Sequence, residues 1–467
     1  MTDQGESRVE RDTMGTMQVP AWALWGASTQ RAVENFPISG RPLPAAFLHA
    51  YGQLKAACAD VNRDLGQLDA ERHAAIVKAA EEIAAGQHDR HFPIDVFQTG
   101  SGTSTNMNLN EVISSLCKPL AVHPNDHVNM GQSSNDTFPT VMHLAAAVAI
   151  DRLLMPALVH MAGCLEKQAK DWDDVVKIGR THLQDATPIR LGQEFSGYAS
   201  QIRHGEARCR RALEVLFELA IGGTAVGTGI NTHEEFGSRV AAKLAVRLGL
   251  PFREADNHFE AQQAKDAMVE VSGHLKTVAV SLGKIANDIR WMGSGPRSGL
   301  GELKLPAVQP GSSIMPGKVN PVIAEAAIMV MCRVIGNDAT VTAAALGGVG
   351  SMLDLNVAMP VMIDAQMESI ELLTQAVRTF TDKLLAGLEP DRARAAALIE
   401  GSLAMATSLV PVIGYDRSAA LAKQALAEGK TVRQLATELN VLPRDELDRL
   451  LDPHAMTLPG GEGSAGG

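Results

Sequence analysis

Between residues 257 and 293 apolar side chains return every three or four positions, at Met268, Val271, Leu275, Val278, Leu282, Ile285 and Ile289. That spacing lines one face of an α-helix, and it predicts a helix of roughly 33 residues, about 50 Å long at 1.5 Å per residue. A second seam follows Pro360, through Ile363, Met367, Ile370, Leu373, Val377, Phe380 and Leu384, and similar faces run through 139–170, 188–220 and 321–346. Five long helices are therefore expected in the middle of the chain. Before about residue 134 the elements shorten and turns such as NFPISGRPLP are denser; after Pro390 short amphipathic segments return. The pattern predicts an all-α fold in three regions: a mainly helical N-terminal domain (1–133), a central bundle of five long helices (134–390), and a small C-terminal helical domain (391–467). The glycine-rich PGGEGSAGG tail is expected to be disordered. A bundle of this kind carries more apolar surface than one chain can bury, so association of identical subunits through the same seams is expected.

Composition agrees with helix packing: 45% of residues are hydrophobic and only 4% aromatic. The formal net charge of -11 argues against nucleic acid as a bulk partner, because phosphate binding needs a basic surface. Cys58, Cys117, Cys164, Cys209 and Cys332 are scattered without CxxC or Cys/His ligand spacing, which points to a reducing cytoplasm and no structural metal. The polar N-terminal stretch lacks the apolar core of a signal peptide. The richest apolar run, 141–159, is broken by His143, Asp151, Arg152 and Pro156, so no membrane span is expected.

Four polar stretches stand out against this background: QTGSGTSTNMNLNE (98–111), GQSSNDTFPT (131–140), GRTHLQDATP (179–188) and PGSSIMPGKVNP (310–321). Each is expected to lead into a helix, the second after Pro139, the third after Pro188, the fourth with Asn320 as N-cap and Pro321 in the first helical position. Ser, Thr, Asn and Asp at such places can serve simply as caps. The unpaired N–H groups of helix N-termini, together with Lys318 and His182, would equally suit a small polyanion such as a carboxylate. Taken singly, Lys318 and Glu325 read as solvated charges and His182 as a structural histidine. GSGTST and GGTAVGTG (222–229) lack the ending or the context of a nucleotide-binding loop, and His88 with His91 has no third ligand nearby in sequence.

Taken together, the four stretches, in this order, resemble the active-site segments of the fumarase/aspartase superfamily, whose signature loop reads GSSxMPxKxN, and the similarity runs from ALWGASTQRAVENFPISG (23–40) to the C-terminal region. Within it the chain is most similar to the class II fumarases. The resemblance implies a reversible, metal-free and cofactor-free anti addition of water to fumarate through an aci-carboxylate intermediate. It also implies a homotetramer whose active sites each draw on three subunits, with no nucleic-acid or membrane partner. Carried over by position, Ser312 would be the base, Lys318 and Asn320 would stabilise the aci-carboxylate, and His182 paired with Glu325 would act on the leaving-group side. Ser101, Gly102, Thr103, Ser133, Ser134, Asn135, Thr181 and Ser313 would bind substrate, and His123, Pro124, Asn125 and Asp126 would form a second dicarboxylate site. The aspartases of the same superfamily, which release ammonia from aspartate, are the alternative; a catalytically silent structural relative is a second. Thr105, Gly131 and GSMLDLNVAMP (350–360) depart from the fumarase pattern.

Overall fold

The structure, a computed structural model, describes residues 6–459; the glycine-rich tail from residue 460 lies outside the described residues. The chain begins with a hairpin, β1 (Ser7–Asp12) and β2 (Gly15–Pro20), followed by α1 (Ala27–Asn35), α2 (Ala45–Asp64), α3 (Ala70–Ala84) and α4 (Thr103–Leu116). Next come α5 (Ser134–Ala149) and α6 (Met155–Asp171), joined by one wider turn at Ile150–Leu154, then a second hairpin, β3 (Val176–Thr181) and β4 (Gln184–Arg190). The remaining long helices are α7 (Leu191–Leu216), α10 (Asp266–Met292), α11 (Val322–Ala345) and α12 (Met359–Lys383), with α8 (Phe236–Leu248) and α9 (His258–Gln263) between the first two. Five short helices close the chain: α13 (Arg392–Gly401), α14 (Val410–Ile413), α15 (Tyr415–Glu428), α16 (Val432–Glu438) and α17 (Arg444–Leu450). Every β-sheet among the described residues has two strands, so the expected all-α character holds with small two-stranded pairs added.

Contacts group the chain into two compact units. One takes the chain up to residue 156 with 206–279 and 330–374; the other takes 157–205, 280–329 and everything from 375. Both predicted seams are buried: Met268, Val271, Leu275, Val278, Leu282, Ile285 and Ile289 are each at most 1% exposed. The single helix expected over 257–293 is broken at Ala264–Lys265. There the Lys265 ammonium donates to the carbonyls of Ala261, Gln262 and Ala264, the unpaired acceptors at the end of α9, and terminates it. The α5–α6 segment Ser134–Asp171 is long and apolar enough to cross a membrane, but 67% of its apolar window is buried in the fold.

Helix starts also differ from expectation. α5 begins at Ser134, five residues before Pro139, because Ser133 and Asp136 form a reciprocal capping box. The stretch 179–188 leads into α7 at Leu191 as expected, but as part of the β3–β4 hairpin; Gly179 sits at its irregularity, where an added Cβ would lie 2.6 Å from the Thr187 carbonyl. α11 starts at Val322, with the Pro321 carbonyl accepting from Glu325 N–H, so proline precedes the helix, and the Asn320 amide turns back to the Gly311 carbonyl at 2.6 Å instead of capping.

The second hairpin is held from below. In its own unit, Ile178 joins an apolar core with Ile399, Leu409, Leu421, Leu435 and Leu447 of the C-terminal segment. Beside it Lys177 and Glu302, each 2% exposed, form a buried ion cluster. Lys177 Nζ lies 3.1 Å from Glu194 and 3.6 Å from Glu302, and Arg180 donates to Glu302 at 2.8 Å. Removing one partner strands the others without water, which costs far more than a surface pair contributes. Glu302→Gln is therefore expected to destabilise this unit by about 3–5 kcal/mol; thermal unfolding followed by circular dichroism reads the loss, and an unchanged midpoint contradicts it.

Candidate active site

In the first unit, α4 and α5 start side by side, and their leading hydroxyls form a chain. Ser101 Oγ lies 2.7 Å from Thr103 Oγ1, which lies 2.7 Å from Ser134 Oγ. Capping accounts for Ser133, whose Oγ accepts the Asn135 N–H at 3.2 Å. It does not account for Ser101 or Thr103, because the N-cap of α4 is Gly102 and no side chain caps that helix. Gly102 is required there: its φ is +74°, and an added Cβ would fall 1.9 Å from the Phe138 ring. The Asn135 amide donates to the Ala225 carbonyl at 2.8 Å, which brings the 222–229 loop against this edge. Three hydroxyls and an amide beside two helix N-termini make a set of short-range donors suited to a carboxylate.

Sequence reasoning missed what lies beneath. Asp136, fully buried, accepts from the N–H groups of Ser133 (2.9 Å), Gly222 (3.2 Å) and Thr224 (2.9 Å). Burial raises its pKa to about 6, against the pull of those three donors. Lys55, also fully buried, donates to Asn106 (2.8 Å), Asn129 (3.2 Å) and Gln132 (2.9 Å), and burial lowers its pKa to about 7. The available signal was a lysine set among Leu54, Ala56, Ala57 and Cys58, in an apolar stretch of an amphipathic helix.

In the second unit, Thr181 ends β3 and pairs with Gln184, leaving His182 and Leu183 as a two-residue turn with φ of +56° and +59°. Two successive left-handed residues form the turn that best suits a hairpin, a place usually filled by Asn-Gly. Neither side chain here has glycine's freedom, so the turn stores strain at an exposed histidine. The 310–321 stretch is a closed loop: Gly311 N–H donates to the Lys318 carbonyl at 2.9 Å, and an added Cβ at Gly311 would fall 2.3 Å from that same oxygen. Inside it Ser312 Oγ accepts two backbone N–H groups, from Ile314 (3.2 Å) and Met315 (3.0 Å). The loop encloses a concavity of about 510 Å³ lined by Pro310, Ser312, Met315, Gly317 and Lys318.

Among the described residues the side chains of His182, Lys318 and Glu325 make no hydrogen bond or ion pair within the chain, and Ser313 is exposed. The expected His182–Glu325 pair is not formed within one chain. His123, Pro124, Asn125 and Asp126 form an exposed turn in which His123 Nδ1 accepts from the N–H groups of Asn125 and Asp126. Of the positions that departed from expectation, Thr105 bonds Gln98 through its hydroxyl at 2.7 Å, Gly131 has φ +71°, and Asn356 of the 350–360 stretch ties Ala344 and Ser351 together.

Comparison with known proteins shows the family of the chain. Residues 15–336 match the family model described as Lyase, and residues 405–458 match that of the fumarase C C-terminus. The class II fumarate hydratase of Corynebacterium glutamicum is 56% identical over 464 residues, which is 98% of this chain and 97% of the relative. That of Mycobacterium tuberculosis is 56% identical over 461 residues, 97% of each chain. The crystal structure of class II fumarase from Schistosoma mansoni superposes with a TM-score of 0.93 at 39% identity, covering 98% of this chain and 100% of that one. With this identity along almost its whole length, the chain belongs to the class II fumarate hydratase family, lyases of the fumarase/aspartase superfamily.

Proposed function

We propose that this chain catalyses the reversible anti addition of water to fumarate, giving L-malate, in the cytoplasm. The observation that carries the reading is Ser312, with two backbone N–H groups aimed at its oxygen. A serine hydroxyl is a poor base; donors fixed on its oxygen stabilise the alkoxide and make proton abstraction accessible. In the malate direction Ser312 takes the proton from C3, and the electron pair of the broken C–H bond moves onto the adjacent carboxylate as an aci-carboxylate. Lys318, Asn320 and the loop amides hold that charge. Collapse of the intermediate forms the double bond and expels hydroxide from C2, which His182, oriented by Glu325, protonates to water. Ser101, Gly102, Thr103, Ser133, Ser134, Asn135, Thr181 and Ser313 hold the carboxylates and hydroxyl, and His123, Pro124, Asn125 and Asp126 form a second dicarboxylate site.

The chain works in this reading as a homotetramer whose sites each draw on three subunits. Two features support it: among the described residues the side chains of His182, Lys318 and Glu325 have no hydrogen-bond or ion-pair partner within one chain, and large apolar residues stand exposed beside the polar segments. Leu183 is 63% exposed, Ile314 83% and Leu353 86%, and on α11 Met329 is 66% exposed. Surface of this kind is covered in stable assemblies. The three regions then divide the work: 1–133 supplies Ser101 to Thr103, Ser133 and the second site, 134–390 the remaining groups, and 391–467 the packing behind the hairpin.

Purified protein is expected to raise ultraviolet absorbance when given L-malate and not when given L-aspartate; unsaturated product from aspartate alone would overturn the assignment in favour of ammonia release. Ser312→Ala is expected to lower turnover by about 10²–10⁴-fold while circular dichroism stays unchanged, since the loop is surface-exposed. Wild-type turnover in that variant would remove Ser312 as the base, and a wild-type protein without turnover on either acid would favour the silent scaffold. Light scattering is expected to give the mass of four chains; a stable monomer with full activity would contradict shared sites.

A further inference from the structure

The buried lysine beneath the hydroxyl edge has no part in the reaction just described, and its surroundings are unusual. Lys55 projects from α2 into a setting of neutral amides: Asn106 and Asn110 on α4, and Asn129 and Gln132 in the turn that precedes Ser133. Asn129 Oδ1 receives three donors, from Lys55 (3.2 Å), Asn106 (3.1 Å) and Asn110 (3.2 Å). The turn closes on itself through Asn129 Nδ2 to the Gln132 carbonyl and Gln132 Nε2 to the carbonyls of Val128 and Met130, each at 3.1 Å. Lys55 Nζ thus joins α2, α4 and the 129–132 turn.

The next three residues, Ser133, Ser134 and Asn135, are the ones assigned to substrate. They are fixed on their other side by Asp136, whose carboxylate also holds the Gly222 and Thr224 amides of the glycine-rich 222–229 loop. Thr224 sits at φ +54°, a left-handed conformation that a β-branched residue adopts only under constraint. The edge therefore hangs between a buried cation and a buried anion.

We propose that Lys55 is a positioning residue for the dicarboxylate: its ammonium fixes the 129–132 turn and, through it, the Ser133–Asn135 edge in the conformation that receives substrate. This inference rests on the assignment of that edge to substrate binding. The ammonium supplies three donors for three amide oxygens, whereas a neutral amine supplies two. The titratable groups facing Lys55 are Tyr51 and Cys58 on its own helix and Asp136 on α5, and no carboxylate touches it. Burial, only partly offset by the nearby Cys58 and Asp136, brings its pKa to about 7, so the third tie is lost as pH rises through that value.

Two pH dependences then run in opposite directions. The KM for fumarate rises with pH above about 7. Folding stability contributed by Lys55 also rises between about 7 and the ordinary lysine value of 10.5, because over that window the unfolded chain binds the proton that the folded chain has released. Binding weakens while this contribution to the fold strengthens, a divergence that a purely structural lysine does not produce.

The test measures KM and kcat for fumarate from about pH 6 to about pH 9 in the intact wild-type assembly and in Lys55→Met, with thermal unfolding alongside. The expected result is a KM about tenfold higher in Lys55→Met at the acidic end, with kcat changed by no more than a few-fold, and a pH-dependent KM in the wild type that is flat in the variant. An unchanged KM, a loss confined to kcat, or a variant that keeps the wild-type KM profile overturns the proposal. Should Lys55→Met fail to fold, Gln132→Met removes one of the three ties from a less buried position, and there too KM must rise with kcat held. A wild-type KM that is flat across this range overturns the proposal whatever the variants do. A wild-type protein that does not hydrate fumarate fails on a different reading, the proposed function itself.

Discussion

A charge placed where water cannot reach must be satisfied by the protein around it, and this requirement sets much of the geometry of the polar segments. Asp136 answers it with three backbone N–H groups, Lys55 with three amide oxygens, and the Lys177–Arg180–Glu302 cluster with opposite charges. Glu111 does the same at the start of α1, accepting from the N–H groups of Gly26, Ser28 and Thr29 and from the Thr29 hydroxyl at 2.6 Å. Each buried charge fixes a segment that has little apolar surface of its own. Loops rich in glycine and hydroxyls bury too little to be ordered by packing, so their shape depends on strong, directional partners.

The same constraint separates the hydroxyls at the starts of α4 and α5 from their supports. Ser101, Thr103 and Ser134 are linked mainly to one another, which leaves lone pairs and protons to turn toward a ligand. The charges behind them, Lys55 and Asp136, each meet three neutral partners. Ser312 stands between these cases: its oxygen already accepts two amides, and its proton is its free handle.

Strain is concentrated at the exposed presenting turn. His182 and Leu183 both adopt left-handed backbone in a hairpin whose register is fixed by the ion cluster and by Ile178 in the core below. The scaffold over-determines the turn, and the cost of two unfavourable residues is carried by packing elsewhere in the unit. Leu183, with Ile314 and Leu353, also carries apolar surface that a single chain leaves to water.

Much of this was legible in the order of residues. The five long helices, their buried seams and the four polar stretches follow from periodicity and from residue chemistry, because a helix repeats every 3.6 residues whatever surrounds it. What the sequence could not determine depended on partners distant in the chain. The break at Lys265 came from its ammonium reaching back to helix-end carbonyls, the start of α5 from a capping box stronger than the proline signal, and the hairpin at 179–188 from pairing ahead of the expected helix. Lys55 looked like one more residue of an amphipathic helix until folding placed it against Asn106, Asn129 and Gln132, 51 to 77 positions away. Local pattern determines which segments are helical; only the closed tertiary structure decides which charges are cut off from water, and therefore which loops they hold.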